Sequence, residues 1–106
     1  MAITTSNPNV VNGATITGQG TRSFLNVTTK TLVKATQGRV VKVNVVVAGG
    51  TNTGSIWDSA TTAGTSASNL IALIPDAVGV YSFDFPTANG IVVDPGTGNT
   101  VAISFN

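Results

Sequence analysis

Residues 38–48 read GRVVKVNVVVA, and this stretch decides the fold class. Its residues alternate in two sets, with Val41, Val43, Val45 and Val47 in one set and Val40, Lys42, Asn44 and Val46 in the other. Alternation with a period of two is typical of a β-strand, because successive side chains on a strand point to opposite faces. Valine also suits the pleated surface of a sheet. The stretch therefore predicts a long strand with one face in the core.

The same pattern recurs on both sides of this stretch. It predicts further strands over residues 31–35, 55–60, 70–74, 80–85, 91–93 and 101–105. Glycine, proline and asparagine separate the runs, and Asn89-Gly90 suits the type I′ turn of a tight hairpin. Short strands with a turn every 8–12 residues or so are typical of sandwiches, jelly rolls and small barrels. We predict an all-β fold, a compact antiparallel β-sandwich or jelly roll of about seven to eight short strands.

The alternation also predicts which side chains form the core. The set consists of Val41, Val43, Val45, Leu70, Ile74, Phe83, Phe85, Ile91, Val93, Ile103 and Phe105. A slip of one residue moves every side chain of a strand to its other face, so the assignment of inner and outer residues is right or wrong for a whole strand at once.

The first 26 residues differ from the rest. They read MAITTSNPNVVNGATITGQGTRSFLN, which is polar and has only brief apolar pairs. We predict an extended N-terminal arm over residues 1–26, or one further hairpin around Asn12-Gly13, followed by a sandwich domain over residues 27–106. Val10, Val11 and Ile16 are β-branched and suit the addition of a strand to the exposed edge of a neighbouring molecule.

The charges are few and unevenly distributed. Charged residues make up 8% of the chain, against about 25% in an ordinary soluble domain. The basic residues come first and are Arg22, Lys30, Lys34, Arg39 and Lys42, whereas the acidic ones come later and are Asp58, Asp76, Asp84 and Asp94. One interpretation is a basic face that docks on an acidic surface of another protein or another copy. The other is scattered charges that discourage strand edges from pairing.

Low charge and the absence of cysteine both favour association. The 106 residues include no cysteine, so disulfides cannot stabilise this small domain. Oligomerisation is a common substitute in small domains, and weak self-repulsion permits it. The alternative is a Thr- and Ser-rich β domain that tolerates few charges. The five basic residues, with Val10, Val11 and Ile16, are the predicted partner-binding residues.

Residue types needed for common catalytic chemistry are missing. The chain has no histidine, cysteine or glutamate, so it lacks the usual near-neutral general base and the best transition-metal ligands. We predict that it is not an enzyme and binds no cofactor and no metal ion. Five dispersed basic residues make nucleic acid a poor partner, and apolar runs such as Val45–Val47 with Ala48 are too short to cross a membrane as a helix.

From Thr31 to Phe105 the order of strand and turn phrases resembles a group of small bacteriophage and prophage virion proteins. The phrases are Lys34-Ala35, GRVVKV at 38–43, SIWDSA at 55–60, NLIALIP at 69–75, GVY at 79–81 and NGIVV at 89–93. Members of this group are mostly structural: capsid decoration or cement proteins, and modules of head or tail fibres. The resemblance implies a compact β-sandwich or jelly roll and no catalytic residues. Residues 1–26 depart from the shared pattern.

These observations lead to one functional prediction with alternatives. We expect a non-catalytic virion structural protein, assembled in the bacterial host cytoplasm, that acts as a capsid decoration or cement protein. Its partners would be copies of itself and a major capsid or other virion protein. The alternatives are a head- or tail-fibre module that binds a receptor, and a small carbohydrate-binding β domain with Trp57 as the stacking platform.

Overall fold

Eight β-strands and one short 3-10 helix are described by the computed structural model, which covers residues 20–106. The strands are β1 (Arg22–Val27), β2 (Thr31–Lys34), β3 (Gly38–Val47), β4 (Gly54–Trp57), β5 (Leu70–Ile74), β6 (Gly79–Thr87), β7 (Ile91–Asp94) and β8 (Thr100–Phe105). The 3-10 helix, Ala67–Asn69, immediately precedes β5.

The strands form two four-stranded antiparallel sheets. Sheet 1 has the order β1-β8-β3-β6 and sheet 2 the order β2-β7-β4-β5. Each strand pairs with the one equally far from the other end of the series: β1 with β8, β2 with β7, β3 with β6 and β4 with β5. The eight strands are thus one long hairpin, rolled up so that β8 also pairs with β3 and β7 with β4. The predicted all-β antiparallel sandwich is confirmed.

Only the β4–β5 connection stays within one sheet; every other connection crosses between the sheets. Three residues join β1 to β2, and four residues, 75–78, join β5 to β6. Links this short cannot cross the full width of a sheet as well as the gap of about 10 Å between two packed sheets. The edge strands β1 and β2 therefore lie on one side of the sandwich, and β5 and β6 lie on the opposite side.

The core lies between the two sheets and is almost entirely aliphatic. Its buried residues are Val27, Val40, Val43, Val45, Ile56, Ile74, Ile91, Val93, Val101, Ile103 and Phe105. The predicted core positions Val43, Val45, Ile74, Ile91, Val93, Ile103 and Phe105 are confirmed. Val41 is buried as well, and Phe83 is half-buried against the core.

Two predicted core residues are wrong, and both lie on edge strands. Leu70 is 40% exposed and Phe85 47% exposed. Leu70 lies opposite Trp57 on the outer face of sheet 2, whereas Phe85 lies opposite the buried Val40 but has no strand on its other side. An edge position leaves a side chain open to solvent even when its face is the inner one.

A β-bulge explains why Val40 is buried although the alternation predicts it on the other face. Val40 pairs with Phe105 and Lys42 pairs with Ser104, so β3 has one extra residue at this point. A bulge places two consecutive residues opposite one and changes the alternation of faces. Val40 and Val41 are both buried as a result.

The predicted hairpin at Asn89-Gly90 is also wrong. This pair joins β6 in sheet 1 to β7 in sheet 2, so it crosses between the sheets instead of joining neighbouring strands. Neither residue has positive φ, which a type I′ turn requires. Glycine is needed here for space, because a Cβ on Gly90 would lie 2.4 Å from the carbonyl oxygen of Ser59.

Strand β1 lies within the N-terminal segment that the sequence separates from the sandwich. Residues 22–26 of the predicted arm belong to β1, which pairs with β8 at the edge of sheet 1. Residues 1–19 of the predicted arm, including Asn12-Gly13, lie outside the described residues.

Candidate docking surfaces

The outer face of sheet 2 is covered at its centre by its own side chains. Leu32, Val92, Trp57 and Leu70 lie opposite one another across the four strands and share this face. Val92 is nevertheless fully buried. The ammonium group of Lys30 lies 4.9 Å from the ring centroid of Trp57 and also donates a hydrogen bond to Thr65 Oγ1. A cation over an indole face is attractive, so Lys30 occupies the side of the ring that a ligand would use.

A polar cleft lies beside Lys30. It has a volume of about 310 Å³, is open to solvent, and is lined by Thr28, Thr29, Lys30, Asp94, Gly96, Thr97 and Gly98. Asp94 Oδ1 accepts a hydrogen bond of 2.9 Å from the Gly96 backbone. The cleft combines hydroxyl, ammonium and carboxylate groups close to an aromatic ring.

The outer face of sheet 1 has small side chains at its centre, and no aromatic ring of the described residues covers it. An open depression of about 140 Å³ is lined by Ser23, Leu25, Lys42, Asn44, Ala102, Ile103 and Ser104. Leu25 on β1 is 67% exposed at one edge, and Val80 on β6, opposite Asn44, is 64% exposed at the other. Small side chains between them permit another protein surface to approach the sheet closely.

The side of the sandwich made by β5 and β6 is apolar; we call it the β5–β6 side. Its exposed apolar residues are Leu70, Leu73, Val78, Val80 and Phe85. Ile71, Tyr81 and Phe83 are half-buried between them and pack against the core. Neither strand contains a lysine or arginine. The core is therefore least covered on the side whose two strands contain no lysine or arginine.

The opposite side, made by β1 and β2, is basic. Arg22 begins β1, Lys30 immediately precedes β2 and Lys34 ends it. Lys34 donates a hydrogen bond of 3.1 Å to the carbonyl oxygen of Asn106. Lysines at both ends of a strand of only four residues disfavour the addition of another strand.

The predicted basic residues thus do not form one surface. Lys42 lines the depression on the outer face of sheet 1. Arg39, also on β3, forms an ion pair with Asp84 of β6. Arg22 and Lys34 lie on the β1–β2 side, whereas Lys30, which precedes β2, extends its ammonium group over Trp57 on the outer face of sheet 2. Val10, Val11 and Ile16 lie outside the described residues.

The sequence analysis missed two polar residues that hold the loops in place. Asp58 accepts backbone hydrogen bonds from Ala88, Asn89 and Gly90, at 3.0, 2.8 and 3.3 Å. Burial tends to raise the pKa of this carboxyl, but these backbone bonds and the Asn89 side chain outweigh it and lower the pKa below its ordinary value. Asp58 lies far from Asn89 and Gly90 in the sequence, so no local sequence pattern predicts this contact.

Asn99 is the second, and it is buried at the end of the sandwich. Its Oδ1 accepts hydrogen bonds from the amides of Gly49 and Gly50, at 3.2 and 3.1 Å. Its Nδ2 donates to the carbonyls of Asn52 and Pro95, at 3.2 and 3.1 Å. One side chain therefore joins the β3–β4 loop to the β7–β8 loop.

Within residues 20–106, no group of three or more His, Cys, Asp or Glu side chains is arranged to hold a metal ion. No helix in the described part of the chain is long and apolar enough to span a membrane. Comparisons with models of known protein families, with curated proteins and with solved structures find no match.

Proposed function

We propose that this protein is a non-catalytic structural component of a bacteriophage virion. Its role would be that of a capsid decoration or cement protein, which stabilises the head by binding neighbouring capsid subunits from outside. The protein would be assembled in the bacterial host cytoplasm, and its partners would be copies of itself and a major capsid or other virion protein. The resemblance of residues 31–105 to small virion proteins is the source of this proposal.

The outer face of sheet 1 is the observation that carries the proposal. Among the described residues, small side chains line the centre of this open face, and the apolar Leu25 is exposed at its β1 edge. A second large protein surface can lie against such a face over a wide area, which a decoration protein requires. A deep enclosed cleft, which small ligands favour, is not what this face offers.

The strand order supports the proposal by analogy. We infer that the sandwich is a jelly roll, because its eight strands form one long hairpin rolled into two sheets. Double-sheet jelly rolls occur in viral capsid domains, and also in lectins and cupins. A fold hosts many functions, so the strand order adds to the proposal without establishing it.

The decisive measurement is the location of the protein. An antiserum against the purified protein should detect it in gradient-purified phage particles produced by the source bacterium. Its copy number should be a simple ratio to that of the major capsid protein. Absence from purified particles would contradict the virion role, and only a few copies per particle would indicate a tail component.

The docking face has its own test. Purified protein is added to particles that lack it, and the bound fraction is measured by sedimentation. Asn44→Arg places a bulky charge in the depression on sheet 1 and should abolish binding. The matched control is Ser55→Arg, which makes the same change on β4 at the outer face of sheet 2 and should bind normally. Equal binding by both variants would mean that the capsid does not contact sheet 1.

The N-terminal residues give a further test. If residues 10–17 of one copy add a strand to a neighbour, deletion of residues 2–19 should leave a folded sandwich that binds particles weakly. Unchanged circular dichroism would show that the sandwich is intact. Normal particle binding by the shortened protein would remove the N-terminal segment from the docking mechanism.

Carbohydrate binding is the second candidate, and the cleft beside Trp57 favours it. Hydroxyl, ammonium and carboxylate groups line this cleft, and an indole ring provides a surface on which sugars stack. Lys30 covers that ring, so it would have to move. If a saccharide binds here, the fluorescence of Trp57 should change in proportion to the fraction of protein that is occupied. Asp94→Ala should lose this binding.

A further inference from the structure

We infer that two copies of this protein associate through their β5–β6 sides around a two-fold axis. The inference rests on the proposed function in one respect, since it describes how copies of the protein, proposed above as partners in the virion, contact one another. It is argued from the described residues alone and does not involve the capsid.

Within the part of the chain that the structure describes, the β5–β6 side exposes several large apolar side chains. Leu73, Val78 and Val80 are each more than half exposed, and Phe85 nearly so. Behind them, Phe83 and Ile71 are half-buried on the rim of the core. A second apolar surface placed against this side would extend the core across the contact, and apolar burial is the main favourable term in association.

The charges decide which surface of the second copy fits. If the β5–β6 side met the β1–β2 side of the next copy, Arg22 and Lys34 would lie against apolar side chains. Removing a charge from water without a partner is costly. Strands β5 and β6 contain no lysine or arginine, and their one charged residue, Asp84, is already paired with Arg39, whose guanidinium reaches this side from β3. The same surface of both copies is therefore in contact, which is an isologous interface with a two-fold axis.

No strand among residues 20–106 pairs with the outer edge of β6, and only the first half of this edge is suited to pairing. The second half contains a bulge at Asp84, with φ of 47°, and Pro86, which has no amide hydrogen. Bulges and prolines discourage strand addition. Residues 79–82 have neither feature and no charge. We place the two-fold axis beside these residues, where β6 of one copy runs antiparallel to β6 of the other.

The first test measures the mass of the free protein by light scattering and sedimentation. The wild type should have twice the chain mass of 10.6 kDa. Val80→Lys should weaken the dimer by about 100-fold, because each copy would bury an unpaired ammonium group. Leu25→Lys is the matched control, since Leu25 is equally exposed on the same face of sheet 1 but at its other edge; it should remain dimeric. Leu73→Lys gives a second disrupting variant if Val80→Lys is poorly folded.

The second test reports the symmetry. The chain contains no cysteine, so single-cysteine variants at Val78, Val80 and Ser82 cross-link only where a residue meets its own copy. Disulfides require the two Cα atoms to lie within about 7 Å, which occurs beside a two-fold axis. At least one of the three should form a cross-linked dimer on mild oxidation, and Leu25→Cys should not.

A monomeric wild type, a trimer, or a dimer that Leu25→Lys disrupts and Val80→Lys does not would overturn the inference. So would a dimer without any of the three cross-links. These outcomes are independent of the virion proposal, because the measurements use free protein. A dimer that is absent from particles would refute the virion role and leave the two-fold interface standing.

Discussion

The Nη1 atom of Arg39 lies 2.8 Å from Oδ1 of Asp84, which joins the basic first part of the chain to the acidic second part within one molecule. The pair links β3 to the bulge of the edge strand β6. Both side chains remain substantially exposed, and exposed ion pairs contribute only about 0.2–1 kcal/mol. The uneven charge distribution along the sequence is thus partly internal, and only the basic β1–β2 side remains as a separate charged surface.

The conformation of Asp84 leads to the first prediction. Its φ of 47° is left-handed, a region that aspartate tolerates better than alanine. Asp84→Gly and Asp84→Ala both lose the ion pair, but only alanine is strained, so it should be less stable than glycine by about 1 kcal/mol. Urea denaturation measures the difference. Equal stability of the two variants would show that the bulge relaxes.

The four hydrogen bonds of Asn99 lead to the second prediction. Asn99→Asp keeps the shape and the Oδ1 acceptor of the Gly49 and Gly50 amides but removes the Nδ2 hydrogens donated to Asn52 and Pro95. It also places a buried carboxylate beside two carbonyl oxygens. We expect a loss of about 2–4 kcal/mol at neutral pH, measured by urea denaturation. The loss should shrink as the pH falls and the carboxylate becomes protonated; a loss independent of pH would contradict this explanation.

The lowered pKa of Asp58 leads to the third prediction. A carboxyl with a folded-state pKa below its unfolded one stabilises the fold fully above the unfolded pKa of about 3.9, and this stabilisation is lost as the pH falls through the folded pKa. Asp58→Asn lacks the charge and should be less stable than the wild type by about 1–3 kcal/mol at pH 7. The difference should persist to about pH 5 and narrow in more acidic solution. A constant difference down to pH 2 or so would contradict the assignment.

The Lys30–Trp57 contact leads to the fourth prediction. Trp57 is the only tryptophan of the chain, so its fluorescence reports this place alone. Lys30→Ala uncovers the ring, and we expect red-shifted emission and stronger quenching by acrylamide. Lys34→Ala, at the other end of β2, is the control and should leave the spectrum unchanged. Identical spectra for Lys30→Ala and the wild type would show that the ring is shielded by other groups.

Depth within the core leads to the fifth prediction. Ile103 is fully buried, and Ile103→Ala should destabilise the protein by about 2–5 kcal/mol. Phe83 is only half-buried on the β5–β6 side, so Phe83→Ala should cost less than the roughly 3–5 kcal/mol typical of a fully buried phenylalanine. Thermal unfolding of both variants gives the comparison. The comparison applies to a single copy, so it is made at a protein concentration below that at which the chain dimerises. A larger loss for Phe83→Ala under that condition would mean that Phe83 is fully buried within one copy.

Local alternation was enough to locate seven of the eight strands, because each has a run of β-branched or aromatic residues with a period of two. It failed at β1, where RSFLNV mixes polar residues with a bulge at Asn26, whose φ is 57°. Alternation also assigned Val40 to the wrong face of its strand, because no residue type in the sequence indicates the bulge that shifts the pattern. Periodicity describes a strand and not its departures from regularity.

The candidate surfaces were harder to predict than the strands. Arg22, Lys30 and Lys34 reach a different side from Arg39 and Lys42 because the chain crosses between sheets after β1 and again after β2. Asn99 contacts Gly50, which lies 49 residues earlier, and no short window of sequence contains both partners. The β5–β6 side is visible only when the order of strands across both sheets is known.

The rolled hairpin has a consequence for how the chain folds. The first strand, β1, pairs only with the last, β8, and β8 also separates β1 from β3 in sheet 1. Only the β4–β5 hairpin is local, and each further pairing closes a longer loop at a growing entropic cost. Sheet 1 therefore cannot be completed until β8 has left the ribosome. Until then β1 and β3 have unpaired edges, so folding should be slow and the nascent chain prone to aggregation.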